Sequence, residues 1–153
     1  PENVFLHMPT GAGKTFTAVD ALAEVLDAGR PVLWIAHSST LLDGAEKALR
    51  ARFPALSQGQ GVTGLVPALG RLDGGRKDTG ARVCLAMVQT LCALEQRTLL
   101  AHLDALDEPP IVIWDEFHHA IARTWGEVLD RLRARGLPVL GLSATPMRSS
   151  AEG

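Results

Sequence analysis

Five short apolar runs constrain this chain more than any other feature: VFLHM at 4–8, VLWIA at 32–36, VCLAMV at 83–88, IVIW at 111–114 and VLGL at 139–142. Each is rich in Val, Ile and Leu and apolar almost throughout, as strands buried on both faces of a parallel sheet are. Between them, apolar residues recur at helical spacing. From about Lys14 to Ala28 the recurring positions are Phe16, Val19, Leu22, Ala23, Val25 and Leu26, and Gly29 with Pro31 ends the pattern. After the second run, Ser38, Ser39 and Thr40 offer N-caps, and Leu41, Leu42, Ala45, Ala48 and Leu49 make an apolar face. Further helices are expected from about Thr90 to Leu106 and around residues 121–134. Alternation of this kind implies right-handed crossovers, so the expected fold is α/β: a doubly wound, mostly parallel sheet with helices on both faces. A chain of 153 residues suits a single domain of this type, spanning 1–153.

The stretch between Phe53 and Arg82 breaks the rhythm. It is dense in Gly with little periodicity, and the expectation is one more strand at Gly64–Leu69 plus a mobile loop with a basic tip at Arg71, Arg76 and Lys77. The composition, 46% hydrophobic and 21% charged, is that of a soluble globular protein. No apolar run approaches the roughly 20 residues that span a bilayer, so no membrane partner is expected. The net charge of −2 advertises no nucleic-acid surface, although a local patch can hide in a neutral total. Cys84 and Cys92 fall in a strand and the helix after it, and are expected as reduced thiols of a cytoplasmic, bacterial protein rather than as zinc ligands with His118 and His119. The chain opens on Pro1-Glu2 and runs directly into an apolar strand, as a segment of a longer protein does.

Every apolar run is followed by a polar cluster: PTGAGKT, HSST, QT, DEFHH and SATP. In open α/β sheets ligands bind beyond the carboxyl ends of the strands, so these clusters line one candidate site. The first, Pro9-Thr10-Gly11-Ala12-Gly13-Lys14-Thr15, lies between a strand and a helix, as a phosphate-binding loop requires. Gly11 and Gly13 let successive N–H groups turn inward on a polyphosphate, and the helix N-terminus adds partial positive charge. Lys14 is suited to the β- and γ-phosphates and the Thr15 hydroxyl to a Mg²⁺ shell. Met8 stands where the strict pattern has Gly. In the fourth cluster Asp115 follows four apolar residues and emerges at a strand tip, where a carboxylate holds Mg²⁺. Glu116, next to it, is placed to polarise an attacking water, although two acids there can also cap the following helix.

PTGAGKT, DEFHH and GLSATP, in this order and at these separations, resemble motifs I, II and III of superfamily 2 helicases. Asp115-Glu116-Phe117-His118 marks the DExH branch, and the similarity is nearest to restriction-subunit and bacterial DEAD/DEAH-box-like helicases. It covers essentially the whole chain as a first RecA-like P-loop NTPase domain. The resemblance implies ATP and Mg²⁺ as cofactors, with residues 9–15 binding nucleotide, Thr15 and Asp115 holding the metal, and Lys14, Asp115 and Glu116 carrying hydrolysis. It also implies that His118 faces a second RecA-like domain, and that Ser143 and Thr145 couple nucleotide state to grip on nucleic acid. The segments VLWIAHSSTLL and VCLAMVQTL resemble those bearing nucleic-acid contacts, which places Ser38, Ser39, Gln89 and Thr90 there. Relatives often have a basic residue and Gln in the first segment, where this chain has Ser39 and Gly44, and Thr where it has Met87. The implied partners are DNA or RNA, DNA being favoured, the second RecA-like domain and a nuclease or other subunit. The isolated lobe is expected to be a weak ATPase, since the partner domain supplies the arginines that stabilise the transition state. The rival to a helicase or translocase is a nucleotide-gated binding or scaffold module that no longer translocates. A small-molecule kinase is disfavoured by DEFHH followed by SATP.

Overall fold

The computed structural model describes residues 4–7, 11–58, 68–92, 97–116 and 123–143. Seven strands form one sheet in the order β1-β7-β6-β2-β5-β3-β4. They are β1 Val4–His7, β2 Val32–Ala36, β3 Leu69–Asp73, β4 Arg76–Lys77, β5 Val83–Met87, β6 Ile111–Trp114 and β7 Val139–Ser143. All neighbours pair in parallel except β3 and β4, which form a short antiparallel hairpin at one edge. The five strands read from the apolar runs are therefore present, and each is continuous with a parallel partner.

Alternate residues of the same strand serve opposite faces, as the period of two demands. Val32, Trp34 and Ala36 of β2 join Val83 and Leu85 of β5 and Ile113 of β6 on one face. That face is covered by Ala18 and Val19 of α1 (Gly11–Ala21), by Leu22 just after it, and by Leu42, Ala45, Ala48 and Leu49 of α3 (Ser39–Arg52). Leu33 and Ile35, Cys84 and Ala86, and Val112 and Trp114 point the other way. Val88 and Leu91 of α5 (Val88–Cys92), Leu99 and Leu103 of α6 (Arg97–Ala105), and Val128, Leu129 and Leu132 of α7 (Arg123–Ala134) cover them. The result is a three-layer α/β/α arrangement, with Trp34 and Trp114 fully buried on opposite sides of the sheet.

The structure departs from the sequence expectations in four places. The first helix begins at Gly11 rather than near Lys14, so the glycine-rich stretch is already the first helical turn. Its far end is set off as α2 (Ala23–Asp27), because the Leu22 N–H is shared between the Ala18 and Val19 carbonyls at 3.2 and 3.1 Å. The helix expected near Thr90 begins earlier, at Val88, whose side chain is buried beside Leu91. It is followed by a separate α6, residues 93–96 lying outside the described segments.

The fourth departure concerns Arg71, which is not part of a basic loop tip. It sits inside β3, is 6% exposed, and its guanidinium meets Asp43 at 2.8 Å, Glu46 at 3.1 Å and also Asp73. Asp78 accepts its backbone N–H at 2.9 Å. A buried guanidinium is tolerable only when its donors are satisfied by charge, and three carboxylates do this here. The ring of ion pairs fastens α3 to the edge of the sheet. Only Arg76 and Lys77, beyond the Gly74-Gly75 turn, reach solvent. Of the strand expected at Gly64–Leu69, residues 64–67 lie outside the described segments, and the strand observed here is Leu69–Asp73. A short α4 (Ala55–Gln58) precedes this region.

On the opposite face His102 is fully buried, and its Nδ1 accepts the Gly80 N–H at 2.9 Å. Gly80 has φ +86, and a Cβ there would meet the Ala105 Cβ at 3.0 Å, so the position demands glycine. Burial pushes the His102 pKa down from 6.5 to about 4. The fold therefore favours the neutral ring, and its contribution is complete above about pH 6.5 and lost as pH falls towards 4. A shift of this size corresponds to roughly 3 kcal/mol. Chemical denaturation at a series of pH values should show this loss in the wild type, and His102→Gln should flatten the profile between those limits.

Candidate functional site at the carboxyl edge of the sheet

Sheet order places β1, β7 and β6 side by side, so the chain leaves three parallel strands at one edge. Register aligns His7 with Ser143, and Trp114 with Gly141. With neighbouring strands about 4.8 Å apart, the ends of β1 and β6 stand roughly 10 Å apart across β7. The end of β1 and the acid pair after β6 thus lie at the same edge of the sheet.

From β1 the chain passes to α1 within four residues. Because α1 starts at Gly11, the backbone N–H groups of Gly11, Ala12, Gly13 and Lys14 belong to the helical turn that lacks internal acceptors. Such N–H groups and the positive end of a helix dipole together are the general chemistry of an anion site. Thr15 lies in the same helix and is half-exposed. Pro9 and Thr10 lie outside the described residues.

Asp115 follows the last residue of β6 and is only 1% exposed, while its N–H donates to the Ile35 carbonyl at 2.8 Å. This hydrogen bond fixes the carboxylate-bearing residue against β2 as well as β6. Glu116, half-exposed beside it, has φ +53 and is the one non-glycine residue with positive φ among the described residues. A side-chain-bearing residue held in the left-handed region costs on the order of 1–3 kcal/mol and persists where its surroundings impose it, often at functional sites. The turn redirects the chain immediately after Asp115, so the two adjacent acids need not alternate as they would along a strand.

The remaining sequence candidates divide in two. β2 and β5 are paired in parallel with Ala36 opposite Met87, which makes their turns neighbours. Ser38 caps α3, its Oγ accepting the Leu41 N–H at 3.2 Å, and Ser39 is exposed as the first residue of that helix. Gln89 is exposed and Thr90 is half-buried in α5. Gln89 Nε2 donates to the His37 carbonyl at 2.9 Å, bridging the two turns. These four residues thus cluster at the same carboxyl edge. Ser143 ends β7, while His118 and Thr145 lie outside the described residues.

One contact was not legible in the sequence. His37 stacks on Trp125 of α7, with centroids 5.6 Å apart and planes inclined by 30°. His37 lies in the HSST cluster, Trp125 in no motif, and nothing in the sequence pairs the two. Cys84 and Cys92 are not disulfide-bonded. Burial raises the pKa of each, most strongly for Cys84, so neither is primed as a nucleophile. Among the described residues no helix is long and apolar enough to cross a membrane.

The sequence matches the family described as "Type III restriction enzyme, res subunit" over residues 1–148. No curated protein matches the chain. Among solved structures, the UvsW helicase from bacteriophage T4 is similar with a TM-score of 0.59 at 16% identity, covering 94% of this chain and 46% of that one. A second T4 UvsW structure gives a TM-score of 0.63 at 17% identity, covering 93% of this chain and 26% of that one. The chain thus spans less than half the length of either structure, and at these identities the likeness is one of fold. With the family match covering nearly its full length, the chain belongs to the type III restriction enzyme res-subunit family and has the RecA-like fold of superfamily 2 helicases.

Proposed function

We propose that this chain is the ATP-binding lobe of an ATP-driven nucleic-acid helicase or translocase. The observation that carries the proposal is the placement of a buried Asp115 and a left-handed Glu116 two strands from the strand that leads into the glycine-started helix α1. Three features support this reading: a helix terminus suited to anions, a carboxylate suited to a hard cation, and an adjacent second carboxylate suited to proton transfer. Family membership supports the same assignment.

In this mechanism the N–H groups of Gly11–Lys14 and the Lys14 ammonium hold the β- and γ-phosphates, with Pro9 and Thr10 completing the loop. The donor set fits Mg²⁺, since the Thr15 hydroxyl and the Asp115 carboxylate are hard oxygen ligands. When bound, the ion neutralises charge on the phosphate oxygens. Glu116 accepts a proton from the water that attacks the γ-phosphorus. The bond from that phosphorus to the bridging oxygen breaks, leaving ADP and inorganic phosphate. Charge development at the leaving oxygen then calls for arginines from a second RecA-like domain, which places residues 1–153 as one half of a two-lobed motor. His118, Ser143 and Thr145 are assigned to the contact between hydrolysis and grip.

Nucleic acid, DNA in preference to RNA, is assigned to the edge formed by Ser38, Ser39, Gln89 and Thr90. Hydroxyl, amide and backbone N–H donors position a phosphate backbone without a large net positive charge. The test is whether ATP hydrolysis by the parent protein rises when single-stranded DNA or RNA is added.

A further inference from the structure

The helix that follows the acid pair is tied to the turn at the end of β2 as well as to its own layer. Three contacts from three segments converge on the end of β2 and that turn. The Ile35 carbonyl accepts the Asp115 N–H at 2.8 Å. The His37 ring stacks on Trp125, the third residue of α7, at 5.6 Å. The His37 carbonyl accepts from Gln89 Nε2 at 2.9 Å. One residue further on, Ser38 caps α3. Residues 35–38 therefore touch the acid turn, the helix after it and the turn after β5, which bears Gln89 and Thr90.

Trp125 is half-buried and packs against the cluster that contains Trp114, the residue immediately before Asp115. It is thus joined to the core layer that includes Trp114 of β6 by packing and to the β2 turn by the stack. Packed aromatic contacts of this kind have discrete arrangements rather than a continuum, because interiors are close-packed. Asp115, just after β6, and Trp125, near the start of α7, are therefore both held against residues 35–37.

We propose that Trp125 is a positioning residue whose stack on His37 makes the geometry of the Asp115-Glu116 turn and that of the Ser38, Ser39 and Gln89 edge interdependent. Nucleic acid on that edge then alters the rate of hydrolysis at the acid pair. The proposal rests on the assignment of this lobe to a nucleic-acid-dependent ATPase, and it adds Trp125, which lies outside the motif-like segments.

The experiment uses the full-length protein and compares Trp125→Ala, Trp125→Phe, His37→Ala and the Trp125→Ala/His37→Ala double variant. The readouts are ATP turnover without nucleic acid and with saturating single-stranded DNA. Couplings between sites are commonly worth 5–150-fold. Trp125→Ala and His37→Ala should leave turnover without DNA within about twofold of wild type while the stimulation by DNA falls about tenfold. Trp125→Phe should retain stimulation, and the double variant should be no worse than either single, as expected for two residues acting through one contact. Undiminished stimulation in both alanine variants overturns the proposal. So does an equal fall in basal and stimulated rates, which is what loss of structure alone produces. If Trp125→Ala fails to fold, His37→Ala and Trp125→Phe decide by the same two criteria. Absence of stimulation in the wild type contradicts the helicase-lobe assignment itself, whereas normal wild-type stimulation with indifferent variants contradicts only the role of Trp125.

Discussion

Glu116→Gln is expected to lower ATP turnover of the full-length protein by roughly 10²–10⁴-fold, the usual worth of a positioned general base. The amide keeps the size and the left-handed backbone of the native residue but cannot accept the proton released by the attacking water. ATP affinity should stay within a few-fold of wild type, because the proposed mechanism assigns the phosphates to the start of α1, two strands away. Steady-state hydrolysis and calorimetric ATP titration on the same preparation separate the two effects. A companion variant isolates the backbone. Glu116→Gly removes the same carboxylate but relieves the positive φ, so it should be equally inactive while being as stable as wild type or up to about 1 kcal/mol more stable. Full turnover in Glu116→Gln would place the general base elsewhere.

The second large effect is expected at Lys14. Lys14→Ala removes the ammonium that the proposed mechanism assigns to the β- and γ-phosphates. Charged hydrogen bonds are typically worth 1.5–3 kcal/mol, which corresponds to about 10–150-fold in ATP affinity. Turnover should fall to background, since the same charge is needed as negative charge builds on the leaving oxygen. The fold should survive, because α1 is anchored by Ala18, Val19 and Leu22 rather than by its first turn. A thermal melt unchanged within a few degrees, alongside lost ATP binding, is the expected pair of results. Normal hydrolysis by Lys14→Ala would refute the phosphate-binding assignment of residues 9–15.

The legible part of this protein is what periodicity and adjacency encode. Runs such as VLWIA and IVIW became β2 and β6 with the boundaries their apolar residues suggest, because a strand buried on both faces cannot carry a polar residue. The polar clusters after those runs fell on one edge because parallel strands share a direction. Asp115 could be placed at a strand tip for the same reason. What was not legible depends on partners distant in sequence. Arg71 reads as a surface residue in a glycine-rich stretch, and only α3 supplies the Asp43 and Glu46 that allow it to be buried. His102 reads as a polar residue on a helix, yet it is buried against the Gly80 turn 22 residues before it. The stack of His37 on Trp125 joins two elements far apart in the chain, and no local pattern predicts it. The left-handed conformation of Glu116 was equally hidden, since local preference argues against it for any residue but glycine.

The central claim, that this edge of the sheet binds and hydrolyses ATP under the control of nucleic acid, is tested most directly by one measurement. Initial rates of Mg²⁺-dependent ATP hydrolysis by the full-length protein are recorded as single-stranded DNA and, separately, single-stranded RNA are titrated in. The predicted result is a saturable rise in rate with at least one polynucleotide, larger with DNA, and abolished by Glu116→Gln. A rate that no polynucleotide changes would contradict the claim.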